Sequence, residues 1–230
     1  MIIDTMNPRE LTTEIGADYL NIQRSLERLA RDYDRERRRG KVDKQDPYPR
    51  AYDIKTKKKN TWIIVMDKAY SEETYKGVGS IGIACLVYYY TPIGLRVFKI
   101  MLPQGLSVFN SHLFKRYNER LDLGLSSPLE IVKHFFIHNP GHVNKILPKG
   151  GREFTVGICK EGLLLGELQE GRLWLVYKTF ITRDLMGPEQ GDIEGGLINS
   201  LREDIEKELN SPEFNREAYT YKADIYKGIK

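Results

Sequence analysis

The sequence has little of what marks a secreted or membrane protein. Its 230 residues include two cysteines and four histidines. The first residues, Met-Ile-Ile-Asp, lack the basic segment and apolar run of a secretory signal. No stretch approaches the ~18 consecutive apolar residues that a membrane-spanning helix needs. We therefore expect a cytoplasmic protein without a membrane partner. Cys85 and Cys159 lie in apolar, strand-like runs, which favours buried free thiols over a disulfide.

An excess of charge of one sign is also missing. The chain carries 36 basic and 32 acidic residues, and a net charge of +4 is too small to predict nucleic-acid binding from composition. One local cluster could contact nucleic-acid phosphates, and it consists of Lys55, Lys57, Lys58 and Lys59. The simpler interpretation of this cluster is the solvated tip of a hairpin.

The pattern of apolar residues predicts an α+β fold. One helical stripe is formed by Ile15, Tyr19, Ile22, Leu26, Leu29 and Tyr33. Strand-like runs cover residues 51–56, 61–67, 80–91, 95–102, 153–159, 163–168 and 173–182. We expect a mainly antiparallel sheet of about six or seven strands, with central helices covering it and N- and C-terminal helices flanking it.

The same pattern divides the chain into three segments. Residues 1–45 are expected to form an N-terminal helical segment, and residues 46–210 an α+β core domain. Residues 211–230 have little apolar periodicity and are expected to form a tail. The stripe on the first helix suits pairing with a protein partner or a second copy of the chain. A non-catalytic interaction module is therefore one functional hypothesis.

A polar stripe on the helix predicted after Asn110 gives a second hypothesis. Its members are His112, Arg116, Glu119 and Arg120. Two arginines four residues apart repel each other unless an anion or a carboxylate lies between them. Arg116 and Arg120 could hold a phosphate while His112 transfers a proton. The alternative is a helix surface with ion pairs, such as Lys115 with Glu119.

This stripe, followed by strands that end in residues 178–182, resembles the RelE/barnase-like group of bacterial toxin-type ribonucleases. The resemblance covers about residues 110–182. It implies a metal-independent endoribonuclease or RNA-binding protein that needs no cofactor. It also implies that His112, Arg116, Arg120 and the strand hydroxyl of Thr179 act on the RNA phosphodiester.

Three of the four histidines lie close together in the sequence, at positions 134, 138 and 142. His134 and His138 have the i, i+4 spacing with which helical histidines can share a metal. Pro140-Gly141 ends the helix before His142, and no other ligand follows at a standard spacing. We expect no metal at this place. A metal-dependent hydrolase that uses His134 and His138 remains the third hypothesis.

Overall fold

The computed structural model describes residues 1–38, 49–67, 82–101, 105–149, 152–169 and 174–209. The helices in these segments are α1 (Pro8–Arg38), α2 (Ser111–Arg120), α3 (Pro128–His138) and α4 (Pro188–Leu209). The strands of the first half are β1 (Arg50–Lys55), β2 (Thr61–Asp67), β3 (Gly82–Thr91), β4 (Gly94–Met101) and β5 (Gly105–Phe109). Those of the second half are β6 (Val143–Lys149), β7 (Arg152–Cys159), β8 (Gly162–Gln169) and β9 (Trp174–Thr182). The predicted tail, residues 211–230, lies outside the described residues.

The nine strands form one sheet in the order β1-β2-β3-β4-β5-β9-β8-β7-β6. It consists of two antiparallel meanders that meet where β5 and β9 pair in parallel, with Ser107 opposite Leu175 and Phe109 opposite Tyr177. Parallel neighbours need a crossover connection, and the chain between β5 and β9 supplies it. The α+β class and the mainly antiparallel sheet are confirmed. The predicted strand number is too low, and one pairing is parallel.

The two strands that the pattern did not predict explain the difference in number. β5 is short and runs almost directly into α2, so it offers few residues in which alternation can be recognised. β6 has the sequence Val-Asn-Lys-Ile-Leu-Pro-Lys, in which lysines and a proline interrupt the apolar pattern. It is an edge strand, a position where proline and lysine are tolerated and discourage pairing with other chains.

Helices cover both faces of the sheet. Ile63 and Val65 of β2 pack in one core with α2 and α3, whereas Trp62 and Ile64 of the same strand pack in another core with α1. Successive side chains of a strand point to opposite faces, so α1 lies on the face opposite α2 and α3. Leu197 of α4 packs on β7 and β8 in a third, smaller core.

The sequence of α1 specifies both its start and its buried face. Asn7 and Glu10 form a reciprocal capping box, because each side chain accepts a hydrogen bond from the other residue's backbone N–H. The helix is confirmed, and its apolar stripe packs against the sheet of the same chain. Leu11, Ile15, Ile22 and Leu26 are buried against the sheet. Ile15, Ile22 and Leu26 of the predicted stripe are thus covered by the sheet, and pairing with a partner or a second copy stays a prediction.

A buried carboxylate fixes α1 on the β1–β2 hairpin. The Oδ2 atom of Asp18 accepts hydrogen bonds from Thr56 Oγ1 at 3.0 Å, Asn60 Nδ2 at 2.8 Å and Trp62 Nε1 at 2.8 Å. Asn60 Oδ1 in turn accepts the backbone N–H of Ile2 at 2.7 Å. Oδ1 of Asp18 has no partner in the described residues, so the three bonds to Oδ2 are the ones that set the position of the helix.

Both cysteines are free and buried, as predicted. Burial raises the pKa of each thiol to about 12. None of the helices in the described segments has both the length and the apolar composition of a membrane span.

Substituting Leu26→Asp should lower the free energy of unfolding by about 3 kcal/mol, because it places an unpaired charge in the core under α1. Leu26 is 8 % exposed, whereas Leu20 on the outer side of the same helix is 65 % exposed. Leu20→Asp is the matched control and should cost less than about 1 kcal/mol. Urea denaturation followed by circular dichroism measures both. Equal losses would show that the stripe is not buried.

Candidate functional site

Two imidazole rings lie side by side at the end of α3. His134 and His138 are one helical turn apart, and their rings stack with centroids 4.0 Å apart. Ser127 caps the start of this helix, since its hydroxyl accepts the backbone N–H of Glu130. The His138 side chain is 44 % exposed and His134 is half-buried. The pair therefore borders solvent on one side and the core on the other.

The carboxylate of Glu161, in the turn between β7 and β8, organises the groups around this pair. Its Oε2 accepts hydrogen bonds from the Tyr117 hydroxyl at 2.7 Å and from Asn139 Nδ2 at 2.6 Å. Its Oε1 lies 3.4 Å from Nδ1 of His138. Asn139 is the residue that ends α3, and its Oδ1 accepts the backbone N–H of Glu161 at 3.0 Å. We call Tyr117, His134, His138, Asn139 and Glu161 the Glu161 cluster.

These contacts assign the proton positions on His134. Nδ1 of His134 lies 3.0 Å from the Tyr117 hydroxyl oxygen. Tyrosine has a single proton to donate, and Glu161 as a carboxylate can only accept one. Nδ1 of His134 therefore carries a proton that it donates to the Tyr117 oxygen. The neutral ring is left with an unprotonated Nε2, which is the atom that can take up a further proton.

Burial changes the proton affinities within the cluster. Burial lowers the pKa of His134, and the neighbouring His138 lowers it further. Burial, helped by the hydrogen bond to the carboxylate of Glu161, raises the pKa of Tyr117 far above its ordinary value, so its hydroxyl stays protonated. When His138 is protonated, it forms an ion pair with Glu161. The cluster therefore places two imidazole rings next to one carboxylate.

The third histidine is not part of this site. His142 is buried, with its ring 5.8 Å from that of Phe109 and 5.2 Å from that of Tyr177. The described segments contain no group of three or more His, Cys, Asp or Glu side chains placed to share a metal ion. In the Glu161 cluster, Nδ1 of each imidazole faces an oxygen of Tyr117 or Glu161. The metal-dependent hydrolase hypothesis thus lacks a ligand set in this part of the chain.

The predicted stripe on α2 is present, but its charges pair with each other. Arg116 donates to Glu119 Oε2 at 3.1 Å and to His112 Nε2 at 3.4 Å. His112, Arg116 and Glu119 are exposed. Arg120 is half-buried, and its Nη1 has no hydrogen-bond partner within the residues described. Glu119 therefore takes the place that the prediction gave to a phosphate, at least for Arg116.

Thr179 is not brought together with this stripe, because a β-bulge turns it to the other face of the sheet. Tyr177 pairs with Gly166 and Thr179 with Leu165, which leaves Lys178 as the extra residue in β9. Tyr177 and Phe180 consequently both face α2 and α3. Thr179 lies between them on the opposite face, opposite Leu165. The predicted set of His112, Arg116, Arg120 and Thr179 is therefore not assembled.

The lysine cluster lies at the β1–β2 hairpin, as its simpler interpretation predicted. Lys55, Lys57 and Lys59 are exposed, and Lys59 has a positive φ of 64° in the turn. Lys58 is bound to Glu14 of α1 at 2.8 Å. That contact and the bond from the N-terminal amino group lower the pKa of Glu14 to about 2.

Sequence reasoning missed Tyr117, Asn139 and Glu161. No functional role was assigned to any of these three residues from the sequence. The available signal was the coincidence of an asparagine cap after His138 with an acidic residue in a two-residue turn.

Compared with protein-family models, with curated proteins and with solved structures, the chain matches none. The resemblance to RelE/barnase-like ribonucleases remains a prediction.

The free energy of unfolding should fall as the pH is lowered from about 7 to about 5. Burial and the nearby charge of Lys99 hold the pKa of His142 well below its ordinary value, and that of His134 is also lowered. The unfolded chain therefore takes up protons in this range that the folded chain does not. His142 alone should contribute a slope of up to about 1.4 kcal/mol per pH unit.

Urea denaturation at each pH measures this slope. His142→Gln should flatten the dependence, and His112→Gln, which removes an exposed imidazole, should leave it unchanged. A wild-type stability that rises on acidification would contradict the assignment.

Proposed function

We propose that this protein is a metal-independent ribonuclease in which His134 and His138 exchange protons with the substrate. The observation that carries the proposal is the stacked imidazole pair, which Glu161 orients directly at His138 and through Tyr117 at His134. A carboxylate that fixes the tautomer and orientation of an imidazole is the arrangement that acid–base catalysis requires.

Charge repulsion gives the two rings different roles. Two imidazolium ions with ring centroids 4.0 Å apart would repel each other, so the pair binds a second proton less readily than a first. His134, with its lowered pKa and free Nε2, acts as the base. Nδ1 of His138 lies 3.4 Å from Oε1 of Glu161, so we assign His138 as the acid, with Glu161 as the counterion of its imidazolium form. Environments that separate two titrating groups in this way supply both halves of a proton transfer.

Cleavage of an RNA phosphodiester needs one base and one acid, which the two rings can supply. His134 removes the proton of a 2′-hydroxyl, and that oxygen attacks the adjacent phosphorus. His138 protonates the departing 5′-oxygen, which leaves a 2′,3′-cyclic phosphate on one fragment and a 5′-hydroxyl on the other. The substrate supplies its own nucleophile, so this reaction needs neither a metal nor a cofactor.

Within the proposed reaction, Glu161, Tyr117 and Asn139 are positioning residues. Glu161 holds His138 and, through Tyr117, His134, and Asn139 ties Glu161 to the end of α3. Replacing Tyr117 by phenylalanine removes the oxygen that accepts from Nδ1 of His134, and so allows the other tautomer.

The test is cleavage of a labelled single-stranded RNA of mixed sequence in EDTA, with the products separated on a denaturing gel. We expect cyclic-phosphate products from the wild type and no cleavage of DNA of the same sequence, because DNA lacks the 2′-hydroxyl. His134→Gln and His138→Gln should each reduce the rate at least about a hundredfold. Tyr117→Phe should shift the pH profile of the rate.

His112→Gln is the matched control, since it removes an exposed histidine from the neighbouring helix and should cut like the wild type. The proposal fails if the wild type leaves RNA intact or if both α3 variants retain full activity. If only His112→Gln loses activity, the catalytic residues lie on the stripe of α2 and the proposal fails.

A further inference from the structure

A second group of polar side chains lies on the sheet face that α2 and α3 cover, near the junction of the two meanders. We call it the Lys99 cluster, and its members come from four different strands and one loop. They are Lys99 of β4, Ser107 of β5, Tyr177 of β9, Thr155 of β7 and His142 of the α3–β6 loop. None of them belongs to the Glu161 cluster.

The strand register places these residues in a row across the sheet, from Lys99 on β4 to Thr155 on β7. Lys99 and Ser107 are direct cross-strand partners. Tyr177 and Thr155 are both paired with Gly166, so only a glycine separates them across the sheet. The ring of His142 lies 5.2 Å from that of Tyr177, and Lys99 Nζ donates to the carbonyl oxygen of Pro140 at 2.9 Å.

All five side chains belong to residues that are more than nine-tenths buried. Yet four of their polar atoms have no hydrogen-bond partner in the described residues, namely Ser107 Oγ, His142 Nε2, Thr155 Oγ1 and Tyr177 Oη. Buried polar atoms are nearly always hydrogen-bonded in folded proteins. The hydroxyls of Thr155 and Tyr177 lie close enough to interact with each other. Ser107 Oγ and His142 Nε2 have no such neighbour in the described residues, which indicates that a group outside the polypeptide binds here.

The charges in this region point to the nature of the missing group. No carboxylate of the described segments forms an ion pair with Lys99. The ionisable groups that interact electrostatically with Lys99 are Cys85, Cys159 and His142, and burial keeps each of them uncharged. Burial lowers the pKa of Lys99 to about 8, so the ammonium form still dominates at neutral pH. A buried ammonium without a counterion is strongly unfavourable.

We propose that the Lys99 cluster binds a small oxyanion, either a carboxylate or a phosphate, beneath the loop formed by residues 139–142. The ammonium group uses one of its donors on Pro140 and has two others to offer. Ser107, the direct cross-strand partner of Lys99, adds one hydroxyl donor, and Tyr177, beside His142, adds another. Such a set of donors complements a negatively charged oxygen. This site is independent of the proposed ribonuclease activity.

The probes are sodium acetate and inorganic phosphate, each titrated into the full-length protein at neutral pH in chloride buffer of matched ionic strength. Calorimetry should detect one bound anion per chain for one of the two probes, and that anion should raise the melting temperature. Binding should weaken as the pH rises above about 8, because Lys99 loses its proton there.

Lys99→Met should abolish binding and still fold, because an apolar side chain of similar volume removes a buried charge. Lys115→Met, on the exposed surface of α2, is the matched control and should bind like the wild type. Ser107→Ala keeps the charge and should weaken binding about tenfold through loss of one charge-assisted hydrogen bond. If neither anion binds, or if Lys99→Met binds as tightly as the wild type, the cluster is not an anion site.

Discussion

The parallel pairing of β5 with β9 is the contact on which the rest of this structure depends. Without it, the chain would form two separate meanders with open edges. The pairing requires the intervening chain to cross over the sheet, and α2 is packed against β9 in doing so. The rings of Tyr117 and Phe180 meet at 5.1 Å, and those of Phe114 and Phe109 at 6.3 Å. The same crossover brings the end of α3 to the turn that carries Glu161.

Features that depend on the local sequence pattern could be predicted, whereas features that depend on tertiary contacts could not. α1, α3 and most strands follow from apolar spacing and capping residues, which act over a few positions. The histidine pair follows from its i, i+4 spacing. Its partners Tyr117 and Glu161 are 44 residues apart in the sequence, so only the folded sheet brings them together. Thr179 was misplaced because regular alternation from Tyr177 puts it beside α2, and a single extra residue in β9 reverses that.

The loop of residues 139–142 contributes to both polar clusters. The Asn139 side chain binds Glu161, the Pro140 carbonyl accepts from Lys99, and His142 packs against Tyr177. A displacement of this loop would therefore change the surroundings of the imidazole pair and of the buried ammonium group together. Two sites that share one short segment of backbone can influence each other without any long-range pathway.

The position of α1 has a consequence for synthesis of the chain on the ribosome. Trp174 belongs to the core that α1 covers, and its Nε1 donates to Thr12 Oγ1 at 3.0 Å across 162 residues of sequence. At about 5–20 residues per second, the translation of that interval takes roughly 8–30 s. During that time the apolar stripe of the first helix emerges before the completed sheet that will cover it. The core under α1 is therefore completed in two stages, first by residues of β2–β5 and only later by Trp174 and Val176 of β9.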